Sequence, residues 1–337
     1  MKEREMSNFI MVWSIAITLF WYSYIIGRVI PKGKGRLIAL FPPILIFLLL
    51  PLKLTSMHLG VISSFFLAWL STFKLILFAF AKGPLSSNPP PSLPHFLLLA
   101  SLPIKFQQNN HTNTNQNQNK IKLAPGNWRE LIVMAIISYI CIPLCRQKEN
   151  LHPSILLSLY GLHFYTGLEI FLALITKIVR KLIQIDLEKP FNRPYLSTSV
   201  QDFWGRRWNI TVSRILHPTV YEPMLKTFTH VIGRKWAPLP AVVVTFTVSG
   251  LMHELIFYYM KQKTATWEAW EPCWDSMCFF LIHGVCVALQ IGHAKIFKPK
   301  QQLLPRVVSW MLTMGFVVST SVCLFFPALV RCGVAST

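Results

Sequence analysis

The chain has 337 residues, of which 53% are hydrophobic and only 14% are charged, and its formal net charge is +20. A soluble globular domain carries about 25% charged residues, so this composition excludes an ordinary soluble protein. The positive charge does not indicate nucleic-acid binding, because the basic residues are distributed over the segments between long apolar runs.

The apolar runs are long enough to cross a bilayer, which takes about 20 residues of helix. They predict an all-α, polytopic membrane protein with about eight transmembrane helices, forming a single domain over residues 1–337. The predicted spans are, in chain order, roughly 8–29, 37–54, 57–80, 128–145, 153–176, 239–260, 275–293 and 307–330.

Two apolar segments near the N-terminus need separate interpretation. The first run, Phe9–Ile30, is longer than the apolar region of a signal peptide and lacks a small-residue cleavage site. We therefore expect it to be retained as a span. The short run Phe96–Leu102 lies in a proline-rich stretch and is expected to be re-entrant or interfacial.

The distribution of basic residues predicts the orientation of the chain. With eight spans, 24 Lys and Arg residues fall on one side and eight on the other, and Lys74 lies within a span. The positive-inside rule therefore places the long loop 177–238 in the cytosol and both termini on the opposite side. The glycosylation sequons at Asn110 and Asn209 then face the cytosol and should be unmodified.

The two longest polar segments differ in composition. Residues 107–119 are a run of Gln, Asn and Thr that cannot bury surface, and they are predicted to be disordered. Loop 177–238 instead mixes aromatic and basic residues, which favour the membrane interface. It is predicted to form amphipathic helices on the cytosolic leaflet.

His253 is the most informative ionisable residue within a span. Thr245, Ser249 and His253 are spaced four residues apart, so they share one face of an apolar helix. If the helix enters from the cytosol at Leu239, His253 lies about 21 Å deep. Such an imidazole is neutral and has a nitrogen free to accept a proton. Position alone leaves open whether it is a catalytic base or bonds a neighbouring helix. For Lys74, Glu169 and Glu254, pairing between helices or a snorkelling end is favoured.

A second feature is the segment Ser199–Leu216, SVQDFWGRRWNITVSRIL, in which charged and aromatic residues alternate closely. Taken alone, it is compatible with an interfacial helix that contributes to an aromatic belt.

Here the sequence resembles a known family. The run Phe203–Asn209, FWGRRWN, resembles the FWxRW[HN] signature of membrane-bound O-acyltransferases, and His253 matches the second histidine of that family. The segments 194–209, 217–223 and 249–259 resemble the plant wax synthase branch, whose members are described as long-chain-alcohol O-fatty-acyltransferases. The resemblance extends from the first span to Lys298.

The resemblance implies interfacial helices around an internal reaction chamber, with His253 and Asn209 as the catalytic residues. His253 would act as general base on an alcohol, and Asn209, or a backbone amide near it, would donate to the oxyanion or orient the thioester. The substrate-binding candidates are Asp202, Trp204, Arg206, Arg207, Trp208, Ser249 and His283. The alternative role for His283 is helix packing alone.

The implied reaction joins a long-chain fatty alcohol to the acyl group of acyl-CoA, by direct transfer without a cofactor or metal. The sequence contains no G-x-S-x-G elbow and no HExxH motif. The alternatives are sterol or diacylglycerol as acceptor and, outside the enzymes, a membrane transporter. The expected partners are acyl-CoA, a lipid alcohol and membrane lipid, and the expected location is the endoplasmic reticulum membrane. The sequence carries no indication of oligomeric state.

Overall fold

The computed structural model describes residues 2–86, 90–102, 128–146, 150–183, 190–261, 272–297 and 304–331, and these ranges are helical without a strand. The α-helices are α1 (Lys2–Val29), α2 (Lys34–Leu49), α3 (Met57–Ser63), α4 (Thr72–Ala79), α5 (Leu93–Ser101), α6 (Trp128–Arg146), α7 (Pro153–Ile183), α8 (Val200–Asp202), α9 (Ile210–Leu216), α10 (Glu222–Ile232), α11 (Pro238–Lys261), α12 (Trp274–Phe297), α13 (Arg306–Thr320) and α14 (Phe326–Arg331).

Four π-helical segments join some of these helices within the described ranges: Ser64–Ser71 between α3 and α4, Phe203–Arg207 after α8, His217–Tyr221 between α9 and α10, and Ser321–Phe325 between α13 and α14. Short 3₁₀ turns occupy Leu50–Lys53, Pro84–Ser86 and Pro194–Leu196. Because π-helical turns widen the backbone locally and often mark functional positions, their location matters for the site below.

Eight helical stretches in the described ranges are long and apolar enough to cross a membrane: Glu3–Val29, Lys34–Lys53, His58–Ala79, Trp128–Arg146, Pro153–Val179, Pro238–Lys261, Trp274–Phe297 and Arg306–Arg331. Their number and order agree with the predicted spans, which confirms the all-α polytopic fold. The ends differ by up to five residues because the helices continue past the apolar runs into flanking polar residues. The predicted disordered segment 107–119 and the sequon at Asn110 lie outside the described residues.

Helix α5 has nine residues and is too short to cross a bilayer. Its side chains Phe96 and Leu99 are buried against α1 and α4. Lys74 of α4 is buried, and its Nζ donates to the carbonyl oxygens of Leu99 and Leu102 at the end of α5. The lysine thus satisfies carbonyls that have no partner within the short helix, and it pairs two helices as the sequence predicted.

Two apolar clusters organise the packing. The first lies between α1, α2, α4 and α5, where Phe20 and Phe47 meet at 4.8 Å between ring centroids. The second surrounds α11 and joins it to the Ser64–Ser71 segment and to α9. Loop residues between the fifth and sixth spans are therefore packed against the spans themselves, because α9 contributes the buried Val212, Ile215 and Leu216.

Helices α11 and α12 approach closely at two glycines. A Cβ added at Gly250 would lie 2.8 Å from Met277 Sδ, and one at Gly284 would lie 2.8 Å from Phe246 Cβ. Small residues allow helix backbones to pack tightly in a membrane. The two glycines therefore set the separation of the helices that carry His253 and His283.

Candidate active site

The signature segment is held by its own backbone. The Asn192 amide donates to Arg207 O at 2.9 Å, and the Ile210 amide donates to Pro190 O at 2.8 Å. Asn209 has a left-handed backbone, with φ 39° and ψ 58°, and its Oδ1 accepts from the Val212 amide at 3.4 Å as the N-cap of α9. Asn and His both tolerate this backbone better than most residues. Asn209 therefore has a structural role as a helix cap in addition to its predicted catalytic role. Its Nδ2 makes no hydrogen bond to a described residue.

Of the three charged candidates in this segment, Asp202 and Arg207 form an ion pair, and Arg206 does not take part in it. Arg207 Nε donates to Asp202 Oδ2 at 2.6 Å, and Arg207 Nη1 reaches the carbonyl oxygens of Asn192 and Arg193. Asp202 and Arg207 thus compensate one another and shape the loop. Arg206 is exposed and has no ion-pair partner among the described residues.

Trp208 belongs to an aromatic cluster that fixes the signature to α7. Its ring stacks on Phe203 at 5.4 Å and on Tyr165 at 5.8 Å, and it meets Phe191 at 5.2 Å. Its backbone amide donates to Phe203 O at 2.8 Å. These contacts support a packing role for Trp208, which the sequence had suggested as a substrate-binding residue.

Trp204 is bonded to His283. The indole Nε1 donates to His283 Nδ1 at 2.9 Å, and His283 Nε2 lies 2.8 Å from Thr320 Oγ1. Since an indole N–H can only donate, the His283 proton must be on Nε2, where it is donated to Thr320. Both nitrogens of this fully buried imidazole are thereby engaged. His283 is placed to hold the signature loop on α12 and α13, in line with the helix-packing alternative.

His253 differs because one of its nitrogens is free. His253 Nδ1 lies 2.7 Å from the Ser249 carbonyl oxygen. A carbonyl oxygen only accepts, so Nδ1 carries the proton and Nε2 is the basic nitrogen. Nε2 has no hydrogen-bond partner in the described ranges, and the side chain is partly exposed. Ser249 therefore acts on His253 through its backbone, while Thr245 Oγ1 bonds within its own helix to Ala241 O.

Aromatic rings enclose the His253 imidazole. Trp69 lies at 4.9 Å in an edge-to-face arrangement, Phe280 at 4.3 Å and Phe325 at 5.7 Å. Phe280 also contacts Trp204 at 6.0 Å. The ring contacts Trp204–Phe280–His253 thus bring the signature loop and the second histidine into one neighbourhood. Trp69, Trp204 and Phe325 each come from a different π-helical segment.

The segments that follow Asn209 and His253 share one apolar cluster. Helix α9, which begins after Asn209, packs in the same apolar cluster as Trp69, Ile256 and Phe257. No hydrogen bond joins the Asn209 and His253 side chains. Their catalytic roles remain predictions.

Sequence reasoning missed Trp69 and Phe325. Both lie in apolar runs that were interpreted as spans, and a single aromatic residue there is indistinguishable from a lipid-facing one. The capping role of Asn209 could have been predicted from the sequence, because Asn immediately before a helix is a common N-cap. Glu254 follows the pairing that was predicted, since its Oε2 accepts from the Cys273 amide at 2.7 Å and joins α11 to the start of α12.

Comparison with known proteins identifies the family. Residues 187–282 match the membrane bound O-acyl transferase family, a range that includes the signature and His253. The acyl-CoA–sterol O-acyltransferase 1 of Arabidopsis thaliana is 41% identical over 98% of this chain and 92% of its own length. The long-chain-alcohol O-fatty-acyltransferase of Simmondsia chinensis is 40% identical over 98% of this chain and 92% of its own length.

The chain belongs to the membrane-bound O-acyltransferase family. A probable long-chain-alcohol O-fatty-acyltransferase of Arabidopsis thaliana, 38% identical over 98% of this chain, leads to the same conclusion. As a membrane-bound O-acyltransferase, the protein is a multi-pass membrane enzyme that transfers acyl groups. The transporter alternative is therefore set aside.

Proposed function

We propose that this O-acyltransferase esterifies a long-chain fatty alcohol with the acyl group of acyl-CoA, and that His253 is the general base. The observation that carries the proposal is the free Nε2 of His253, whose ring contacts Phe280, which in turn contacts Trp204 of the family signature. The Ser249 carbonyl fixes the tautomer and the ring orientation. A base held this way needs no reorganisation when the alcohol arrives.

The reaction follows from that tautomer. His253 Nε2 accepts the hydroxyl proton while the alcohol oxygen attacks the thioester carbonyl carbon. The C–O bond forms, the C–S bond then breaks, and the proton on Nε2 passes to the departing sulfur of coenzyme A. The products are an ester and the free thiol, and His253 returns to its starting form. No covalent acyl-enzyme, cofactor or metal ion enters this sequence.

Asn209 supplies the second polar group in the proposal. Its Oδ1 is engaged as a helix cap, so the amide Nδ2 is the atom available to donate to the thioester carbonyl or to orient it. The left-handed backbone and the cap fix the direction of the amide.

The coenzyme A end of the donor is large and anionic, and it suits the basic loop. Arg206 is an exposed residue of the signature and has no described ion-pair partner, so it can bind a phosphate. This arrangement fits a cytosolic loop and an enzyme of the endoplasmic reticulum membrane, where acyl-CoA approaches from the cytosol and the alcohol from the bilayer.

Fatty alcohol is proposed as acceptor because several relatives, including the Simmondsia chinensis protein, carry the long-chain-alcohol name. Sterol is the second candidate, supported by the 41% identity to a protein named for sterol. Both share a hydroxyl on an apolar body, which is all that His253 requires.

The test is expression in a host that lacks neutral-lipid synthesis, followed by incubation of microsomes with labelled acyl-CoA and equal amounts of fatty alcohol, sterol and diacylglycerol. We expect labelled wax ester as the main product, and none from a His253→Ala control at equal expression. Predominant sterol ester would select the second candidate. Ester formation that persists in the control would overturn the role of His253.

A further inference from the structure

Trp69 has a buried hydrogen-bond donor without a partner. Only 2% of its surface is exposed, and its Nε1 is among the buried polar atoms that make no hydrogen bond in the structure. A buried N–H without an acceptor costs free energy, so proteins rarely keep one without a reason. The question is which acceptor this indole is placed to meet.

Other tryptophans in the described ranges show the usual outcome. Trp13 Nε1 donates to Ser63 Oγ at 3.2 Å, Trp204 Nε1 to His283 Nδ1 at 2.9 Å, and Trp310 Nε1 to Tyr195 O at 2.7 Å. The fold therefore provides acceptors for these indoles. Among the described residues, Trp69 is the tryptophan whose buried Nε1 lacks an acceptor, although the more exposed Trp310 has one.

The location of Trp69 indicates a ligand rather than a defect in packing. Its ring contacts the His253 imidazole at 4.9 Å, with an angle of 77° between the ring planes. It also packs edge-to-face against Phe65 at 5.6 Å. Trp69 and Phe65 both lie in the π-helical segment Ser64–Ser71, which packs against α11. The indole that carries the unpartnered donor is thus in ring contact with the proposed base.

We propose that the Trp69 indole N–H binds the acyl carbonyl oxygen of the thioester and stabilises the oxyanion that forms there. This inference rests on the proposed function, because it adds to Asn209 Nδ2 a second donor for the charge that forms when the alcohol attacks. The carbonyl oxygen approaches the N–H as the acyl group enters, and the bond strengthens as negative charge develops. No bond to Trp69 forms or breaks, and the indole keeps its proton throughout.

The experiment removes the N–H while keeping an aromatic ring. Trp69→Phe is assayed in isolated membranes and compared with Trp13→Phe. The Trp13 substitution also removes an indole N–H, but one that donates to Ser63 Oγ within the fold. A donor used mainly in the transition state affects kcat more than KM. We expect kcat of Trp69→Phe to fall by about 10²–10³-fold, with KM for acyl-CoA changed less than about threefold. Trp13→Phe should keep kcat close to that of the unmodified enzyme.

A value of kcat within about threefold of the unmodified enzyme would overturn the proposal, provided that Trp69→Phe is folded. If it fails to fold, 3-benzothienylalanine is introduced at position 69, because it keeps the bicyclic shape and lacks only the donor. Loss of kcat in that variant supports the proposal, and retention overturns it. An inactive His253→Ala enzyme with a fully active position-69 variant would reject the indole donor and leave the proposed function intact.

Discussion

His283 and His253, which lie on neighbouring helices, differ in how many of their ring nitrogens are hydrogen-bonded. His283 of α12 is fully buried and uses both ring nitrogens, one toward Trp204 and one toward Thr320. His253 of α11 is partly exposed, uses Nδ1 alone, and keeps Nε2 free. The same type of side chain thus links elements through both nitrogens in one region and keeps one nitrogen available in the other.

The difference teaches where to look for chemistry in a mostly apolar chain. Around His283 the polar atoms have acceptors or donors, which rigidifies the signature loop. The ring of His253, whose Nε2 is free, contacts the ring of Trp69, whose buried Nε1 has no acceptor in the described ranges. Groups that the fold leaves unsatisfied at the same place are the ones available to a substrate.

The largest expected effect comes from removing the free nitrogen. His253→Ala should lower kcat by about 10²–10⁴-fold, the usual contribution of a general base, with little change in the free energy of unfolding. Ester synthesis and resistance to denaturation by SDS are measured on the same purified sample. An active His253→Ala enzyme would remove the distinction between the two histidines.

Asn209 is an intermediate case, because one amide atom is engaged and the other is free. In Asn209→Asp, the new side chain still has an oxygen that can cap the helix, and Asp also tolerates the left-handed backbone. The substitution removes the N–H donor. We expect the protein to fold and its kcat to fall by about 10–100-fold, somewhat less than for a full oxyanion donor. Asn209→Ser, which also caps, serves as the control for charge. If both variants keep full activity, Asn209 is a structural cap only.

The smallest effect on chemistry is expected at His283. His283→Ala leaves the Trp204 N–H unpartnered and should lower the free energy of unfolding by about 1–3 kcal/mol. A double-mutant cycle with Trp204→Phe should give a coupling energy of about 0.5–3 kcal/mol, measured by SDS titration. Additive changes in that cycle, or a loss of kcat as large as that of His253→Ala, would contradict the assigned role.

The spans were predictable because membrane crossing depends on length and apolar content, which are local properties of the chain. The run at 239–260, for example, became Pro238–Lys261. The family was predictable because FWGRRWN and a later histidine form a specific pair. The orientation of the chain and the cytosolic position of loop 177–238 stay predictions.

The division of roles within the signature was not predictable. The sequence alone does not show that Arg207 pairs with Asp202 while Arg206 remains exposed. Nor does it show that Trp204 donates a hydrogen bond to a histidine 79 positions later. The position of Trp69 depends on a π-helical turn and on packing between distant spans, and no local pattern records either.

The close contact between α11 and α12 at Gly250 and Gly284 limits where a larger acceptor alcohol could find room. A Cβ at either glycine would lie 2.8 Å from a side chain of the opposite helix, so α11 and α12 pack closely there. Making room for a bulkier alcohol along this contact would require the two helices to separate and lose that packing. Selectivity among rigid and flexible alcohols is then decided on the remaining walls, where exchanging Trp69 or Phe325 for a smaller ring would alter the cross-section beside His253.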